Sequence, residues 1–131
     1  NDIYNSLPSE IKNAIIDTTV VSGHGNSGET HFTSTDKLYL LSPKEIYTDF
    51  SSDNDTAKDL TRTLDYYKAQ GVTTSNYSGA IKKNGTSASA WWLRVANSIG
   101  NDTFYDVYSD GDWFRNGANY TYGVSPAFRL G

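Results

Sequence analysis

FYDVYSDGDWFRN, residues 104–116, is the stretch on which the reading of the fold turns. Two runs rich in aromatic side chains flank Asp110-Gly111. An Asp-Gly pair in that position predicts a β-hairpin closed by a type I′ turn. Upstream, AWWLRVA at residues 90–96 predicts another strand. Downstream, GVSPAFRL at residues 123–130 predicts a closing strand, with Pro126 at an edge or bulge because it lacks an N–H.

The first half reads differently. SLPSEIKNAI spaces Ile11 and Ile15 for a short helix, with Ser6 or Ser9 as its cap and Pro8 in its first turn. DTTVVSG predicts a strand ended by Gly23, GHGNSGETHFTSTD a polar loop, and KLYLLS a buried strand. SPKEIYTDF predicts a short capped helix with Pro43 at its first position. The clearest helix is TAKDLTRTLDYYKAQG, residues 56–71, with Ala57, Leu60, Leu64 and Tyr67 on one face and Gly71 at its end. VTTSNYSGAIKKNGTSAS reads as loop with at most one short strand. Short helices early, with antiparallel strands and hairpins in the C-terminal half, give an α+β class.

The 131 residues suffice for one domain with a real core, and neither repeat nor linker divides residues 1–131. A net charge of −4 with no cationic run argues against nucleic acid as a partner. No apolar stretch approaches the ~20 residues of a membrane span. The start at Asn1 suggests an excised module of a larger protein. Without Cys there are no disulfides, thiolate metal sites or Cys nucleophiles. Ten Tyr suit both a core and a binding surface.

The C-terminal region has an unusual gap. All seven Lys, three Glu and the one Gln lie at or before Lys83. At the rate of those residues, about six would be expected in the remaining 48, and none occurs. The low β-propensity of Glu and Lys accounts for part of this.

WWLR, FYDVYSDGDW and GVSPAFRL, taken with SLPSEIKNAIIDTTVVSGHG, STDKLYLLSPKEIY and LDYYKAQGVTTSNYSGAIKK, resemble a bacterial family with a WWLR…DG…GV-x-PAF ending. The resemblance covers nearly the whole chain. Such modules occur in secreted or surface proteins, mostly of gut and oral bacteria. The family looks like a branch of the C-type-lectin-like fold in its formylglycine-generating-enzyme form. Proteins of this kind include the variable receptors of diversity-generating retroelements, in which a template RNA is copied with errors at adenines. Codons AAC or AAT altered at their adenines yield Asn, Asp, Tyr, Ser, Thr, Phe, Ile, Gly and Arg. They never yield Lys, Glu, Gln, Met or Trp, which need a third-position purine.

The resemblance separates a constant frame, about residues 1–94, from a candidate variable ligand-binding region at about 95–122 and a closing strand at 123–131. Trp91, Trp92, Leu93 and Arg94 match the constant strand. Phe104, Tyr105, Val107, Gly111, Trp113, Ala118, Gly123, Val124, Pro126, Ala127 and Phe128 match the rest of the frame. The candidate ligand-binding positions are Ser98, Ile99, Asn101, Asp102, Asp106, Tyr108, Asp110, Asp112, Phe114, Arg115, Asn116, Asn119, Tyr120 and Tyr122. Val95, where relatives carry Ser, is a further candidate for variation. Tyr and Phe would give broad contact at small rotamer cost, and Ser, Asn and Asp adaptable hydrogen bonds. Arg115 would anchor a carboxylate or stack on a ring.

Other constellations are weaker. Asp106, Asp110 and Asp112 carry oxygens of the kind calcium takes, but not at EF-hand spacing, and the hairpin explains Asp110-Gly111 without metal. Calcium stays as a secondary alternative to no cofactor. His24, His31 and Glu29 lie in a polar loop without a zinc motif. Arg94 after an apolar triplet reads as a partly buried cation paired with a carboxylate. The catalysis of formylglycine-generating enzymes relies on cysteines this chain lacks, so no enzymatic role is expected.

Three readings follow. One is a non-enzymatic receptor module with a diversified surface, displayed by a bacterial or phage protein outside the cell, for a protein or glycan on another cell, host or phage. The second is a fixed carbohydrate-binding or adhesion module of a bacterial surface protein. The third is a spacer, which would show no aromatic patch around Phe114 and Tyr120.

Overall fold

Alternation in WWLRVA sets the architecture. In a strand, neighbouring side chains point to opposite faces. Trp91, Leu93 and Val95 turn into the core, while Trp92, Arg94 and Ala96 turn out. The computed structural model describes residues 2–23, 31–52, 55–56, 63–97 and 102–131.

The chain opens with α1 (Asp2–Ser6) and α2 (Ser9–Ala14), then β1 (Ile15–Ile16), β2 (Thr18–Ser22) and β3 (Phe32–Asp36). Next come α3 (Pro43–Ile46), α4 (Asp65–Ala69), a 3-10 turn (Ser78–Ala80) and the hairpin β4 (Lys82–Asn84)–β5 (Ser87–Ser89). The C-terminal part supplies β6 (Trp91–Ala96), β7 (Thr103–Val107), β8 (Trp113–Gly117) and β9 (Arg129–Leu130). The described residues therefore form an α+β fold of short helices and antiparallel strands. Its centre is the three-stranded sheet β6-β7-β8. β1 pairs with β9, bringing the two ends of the chain together, and β2 pairs with β3. Among the described residues no helix is long and apolar enough to cross a membrane.

The core lies between the inner face of the central sheet and the α3–α4 region. Leu41, Ile46, Tyr47, Phe50, Tyr67 and Val72 meet Trp91, Leu93, Val95, Tyr105 and Val107 there. Phe50 stands edge-on to both Tyr105 and Trp113, at 5.6 and 5.3 Å between ring centroids. Polar tips of these rings are satisfied. Tyr47 donates to Gly111 O at 2.6 Å, and Trp91 Nε1 donates to Ala80 O at 3.3 Å.

Arg94 is the expected buried cation. Its Nη2 meets Glu45 Oε1 at 2.7 Å, with both side chains only 8% exposed. Its Nε donates to Val21 O and its Nη1 to Leu40 O, each at 3.0 Å. One side chain thus ties β6 to β2, to the segment before α3, and to α3 itself.

Several local expectations are corrected. Pro8 is the N-cap of α2 and not in its first turn, and no serine side chain caps that helix. Pro43 does open α3, after Ser42, but again without a side-chain cap. The polar stretch before Lys37 contains β3, paired residue for residue with β2. KLYLLS forms no regular strand; Tyr39 exchanges hydrogen bonds with Ala127 and Leu41 O accepts from Arg94 N–H. Of the helix expected over 56–71, residues 57–62 with Ala57 and Leu60 lie outside the described residues. Leu64 is exposed, because it is the extended N-cap of α4, while Tyr67 is buried as expected. Val95 sits in the core and is no surface position.

The hairpin exists, but its turn is not type I′. That turn needs positive φ at both central residues. Among the described residues only glycines have positive φ. Gly111 N–H returns to Tyr108 O and Tyr108 N–H reaches Asp112 O, with Gly111 at φ +94°. This is a three-residue loop with the glycine in the bulge position. A Cβ on Gly111 would stand 2.2 Å from Tyr77 O.

Two stability outcomes follow. Arg94→Ala strands the buried Glu45 carboxylate and two carbonyls, and should cost about 3–5 kcal/mol in urea denaturation. Gly111→Ala combines a disfavoured φ with a backbone clash, and should cost about 2–4 kcal/mol. A change under about 0.5 kcal/mol, the usual range for neutral surface positions, would refute either account.

Candidate functional site: an aromatic face and an adjoining cleft

The outer face of the central sheet carries the residues that β6, β7 and β8 turn away from the core. Register sets Asp106 between Trp92 on one side and Phe114 on the other, and Phe104 opposite Asn116. The segment after β8 returns along β6: Trp92 N–H donates to Gly123 O and Gly123 N–H to Ala90 O. That return lays Tyr122 against Trp92, at 4.9 Å between ring centroids.

Five rings form one connected group there. Tyr122 touches Trp92, Tyr120 (5.7 Å) and Tyr108 (6.5 Å, edge-on). Tyr108 stacks on Phe114 at 4.9 Å and 9° between planes. Phe114 is 48% and Tyr120 54% exposed. Such rings hold one another in place, so a ligand meets a surface that is already ordered.

Asp106 lies under these rings. Its Oδ2 accepts from Asn116 Nδ2 at 2.9 Å, and Asn116 Nδ2 also approaches the Tyr108 hydroxyl at 3.5 Å. Oδ1 is buried and has no hydrogen-bond partner among the described residues. Burial raises the Asp106 carboxyl from 3.8 to about 6, against the lowering effect of the Asn116 bond. The Tyr122 hydroxyl is pushed up to about 12, by desolvation first and then by the Asp106 charge. Asp106 thus supports the face from beneath, which corrects its expectation as an outward contact.

The other expected positions divide. Tyr108, Phe114, Asn116, Tyr120 and Tyr122 belong to the outer face. Asp102 is exposed at the far end of β7, where its carbonyl accepts from Ala118 N–H. Asn119 is exposed in the turn after β8. Asp110 is exposed in the hairpin loop and accepts from Asp112 N–H. Ser98, Ile99 and Asn101 lie outside the described residues, as do His24 and Glu29.

Arg115 and Asp112 are not on the aromatic face. Arg115 pairs with Tyr105, whose side chain points inward, so Arg115 emerges on the opposite side of the sheet. With Asp112 and Trp113 it lines a cleft of about 650 Å³, opposite Asp49, Phe50, Ser52 and Thr74. Asp49 is held there by Thr74, through its N–H and its hydroxyl, both at 2.8 Å. Among the described residues no three His, Asp or Glu side chains gather as a metal site, so Asp106, Asp110 and Asp112 do not converge on a calcium position.

Sequence reasoning placed Trp92 in the scaffold alone. Consecutive tryptophans on a strand must face opposite ways, and that signal was available. Asp49, Ser52 and Thr74 carried no signal, since only folding brings them to β8.

Asp106 generates a pH prediction. Its raised value means that its neutral form stabilises the fold fully below about pH 3.8, and that this contribution is lost as pH rises through about 6. From pH 4 to 7 it should remove roughly 1–2 kcal/mol. Asp106→Asn should flatten that part of the curve and be the more stable protein at pH 7. Urea midpoints across that range check this, and parallel curves for both proteins would reject it.

The chain belongs, over residues 1–131, to the family described as a domain of unknown function, DUF6273. No curated protein and no solved structure matches it.

Proposed function

We propose that this member of the DUF6273 family is a non-enzymatic ligand-binding module with a C-type-lectin-like fold, whose outer sheet face is a diversified binding surface. The module would be displayed outside the cell as part of a larger bacterial or phage protein, and its ligand would be a protein or glycan on another surface. The observation that carries this reading is the connected group of Trp92, Tyr108, Phe114, Tyr120 and Tyr122.

Four of those five rings stand at positions that adenine-directed copying can change, and the fifth, Trp92, stands where it cannot. Exposed side chains there can differ at small cost to the core, since Trp91, Leu93, Val95, Tyr105 and Val107 point the other way. Two exposed aromatics in contact with three half-buried ones also make an apolar patch that a passive spacer does not need.

Two experiments test the reading. Sequencing around the gene's 3′ end should find a near-copy differing at adenines, with a reverse transcriptase gene beside it. Differences scattered over all four bases would remove the diversification. A glycan array separates the alternative, because selective glycan binding shared by divergent relatives indicates a fixed lectin. For a ligand captured on this face, Tyr120→Ala should weaken binding about tenfold or more, with unfolding midpoint unchanged.

A further inference from the structure

The two edges of the central sheet are treated differently. On β6, two outward N–H groups are taken by backbone running alongside: Trp92 N–H donates to Gly123 O and Arg94 N–H to Leu41 O, each at 3.0 Å. Along β8 no strand pairs on the outer edge among the described residues. Tyr108 N–H bonds Asp112 O and Ala118 N–H bonds Asp102 O, which fixes the even-numbered residues as those facing β7. Trp113, Arg115 and Gly117 therefore direct their backbone groups away from the sheet. Trp113 N–H is taken by Asp112 Oδ1 and Gly117 O by Tyr120 N–H. Trp113 C=O, both Arg115 groups and Gly117 N–H have no partner among the described residues. They form half of a ladder with a two-residue period, which is what an extended chain completes.

The surroundings of that edge suit a peptide. The 650 Å³ cleft runs beside it, between residues 112–115 and the wall formed by Asp49, Ser52 and Thr74. An added strand would send alternate side chains to two sides. On one they meet Phe114 and Tyr108, which are apolar. On the other they enter the cleft, where Asp49 and Asp112 outnumber Arg115.

We propose that β8 takes up an extended peptide segment of a partner protein as a fourth strand of the central sheet. Apolar side chains of that segment lie along the aromatic face, and a basic one enters the cleft toward Asp49 and Asp112. This extends the binding reading above by naming the partner as a protein strand, and it rests on the outer face being a ligand surface. A second copy of this chain fits less well. Antiparallel pairing centred on β8 sets Arg115 opposite Arg115, and each copy carries a net charge of −4. A saccharide's hydroxyls can reach single N–H or C=O groups, but they do not repeat with the two-residue period of the edge.

The test uses the whole chain and three synthetic peptides: Val-Thr-Val-Lys-Val-Thr-Val, the same with Glu for Lys, and the Lys peptide N-methylated on alternate residues of its pairing edge. Amide spectra and amide exchange are followed up to about 1 mM peptide, a range set by weak strand addition. The Lys peptide should slow exchange at the Arg115 and Gly117 amides, with the Glu and N-methyl peptides binding about tenfold weaker or less. Asp112→Asn should reduce the Lys-over-Glu preference, and Arg115→Ala should retain binding because the backbone does the pairing. Arg115→Pro removes one edge N–H and should abolish it. If that variant does not fold, the N-methyl peptide still decides.

Unprotected Arg115 and Gly117 amides, or equal binding of the N-methyl peptide, would overturn the proposal. So would a dimer through β8 in sedimentation, or perturbation of the cleft by neutral saccharides instead of peptide. A ligand held on the aromatic face and lost in Tyr120→Ala, with the Arg115 and Gly117 amides unprotected by every peptide, is a failure here that leaves the aromatic-face reading standing, whereas Arg115 and Gly117 protection with no Tyr120-dependent ligand is a failure of that reading.

Discussion

A guanidinium buried in the middle of the fold holds its parts in relation. Arg94 has one carboxylate and two carbonyls as partners, drawn from three segments distant in sequence. A buried ion pair is weak evidence of net stability, since both charges lose water on folding. For Glu45 burial outweighs the attraction of Arg94 and leaves its carboxyl raised. What the cluster supplies is definition. A fork of planar donors accepts few arrangements of its partners, so β2, the segment before α3, and α3 take one position against β6.

That fixed position allows the central sheet to serve two purposes at once. Every second residue of β6 and β7 is committed to the core, and the residues between are not. A substitution on the outer face changes rings that touch one another and solvent, without opening a cavity below. Arg94, held in its ion pair with Glu45, is one exception, and Asp106 is another. The latter is on the outer side by register but sealed from water by its neighbours, with one oxygen unsatisfied among the described residues and its proton held to about pH 6. Stability is spent there on a group that the packing of the core does not need.

The two edges of the sheet complete the picture. One is partly covered by backbone from Leu41 and Gly123, and the same return of the chain brings Tyr122 against Trp92. The other, along β8, is open and borders the cleft. Arg115 and Phe114 are adjacent in sequence and turn to opposite faces of the sheet, though Phe114 also borders the cleft. A binding surface assembled at β8 would therefore have three components: rings, a charged cleft and an unfinished backbone ladder.

Much of this was legible in the residues alone. The apolar, aromatic-rich run AWWLRVA marked β6, the Asp-Gly pair marked the hairpin though not its turn type, and an Arg after an apolar triplet marked the buried ion pair, because each signal is local. Signals that depend on a partner strand were not legible. β3 hid in a polar stretch, since a strand whose side chains are largely in solvent needs no apolar pattern. The turn type was missed because Gly111 is constrained by Tyr77 and Tyr47, neither near it in sequence. Only the tertiary structure decided that Asp106 is buried, that Arg115 and Phe114 part ways, and that Asp49 and Thr74 wall a cleft with β8. Composition lists which side chains are present in a region; which of them share a face depends on strand register and on chain segments returning from far away.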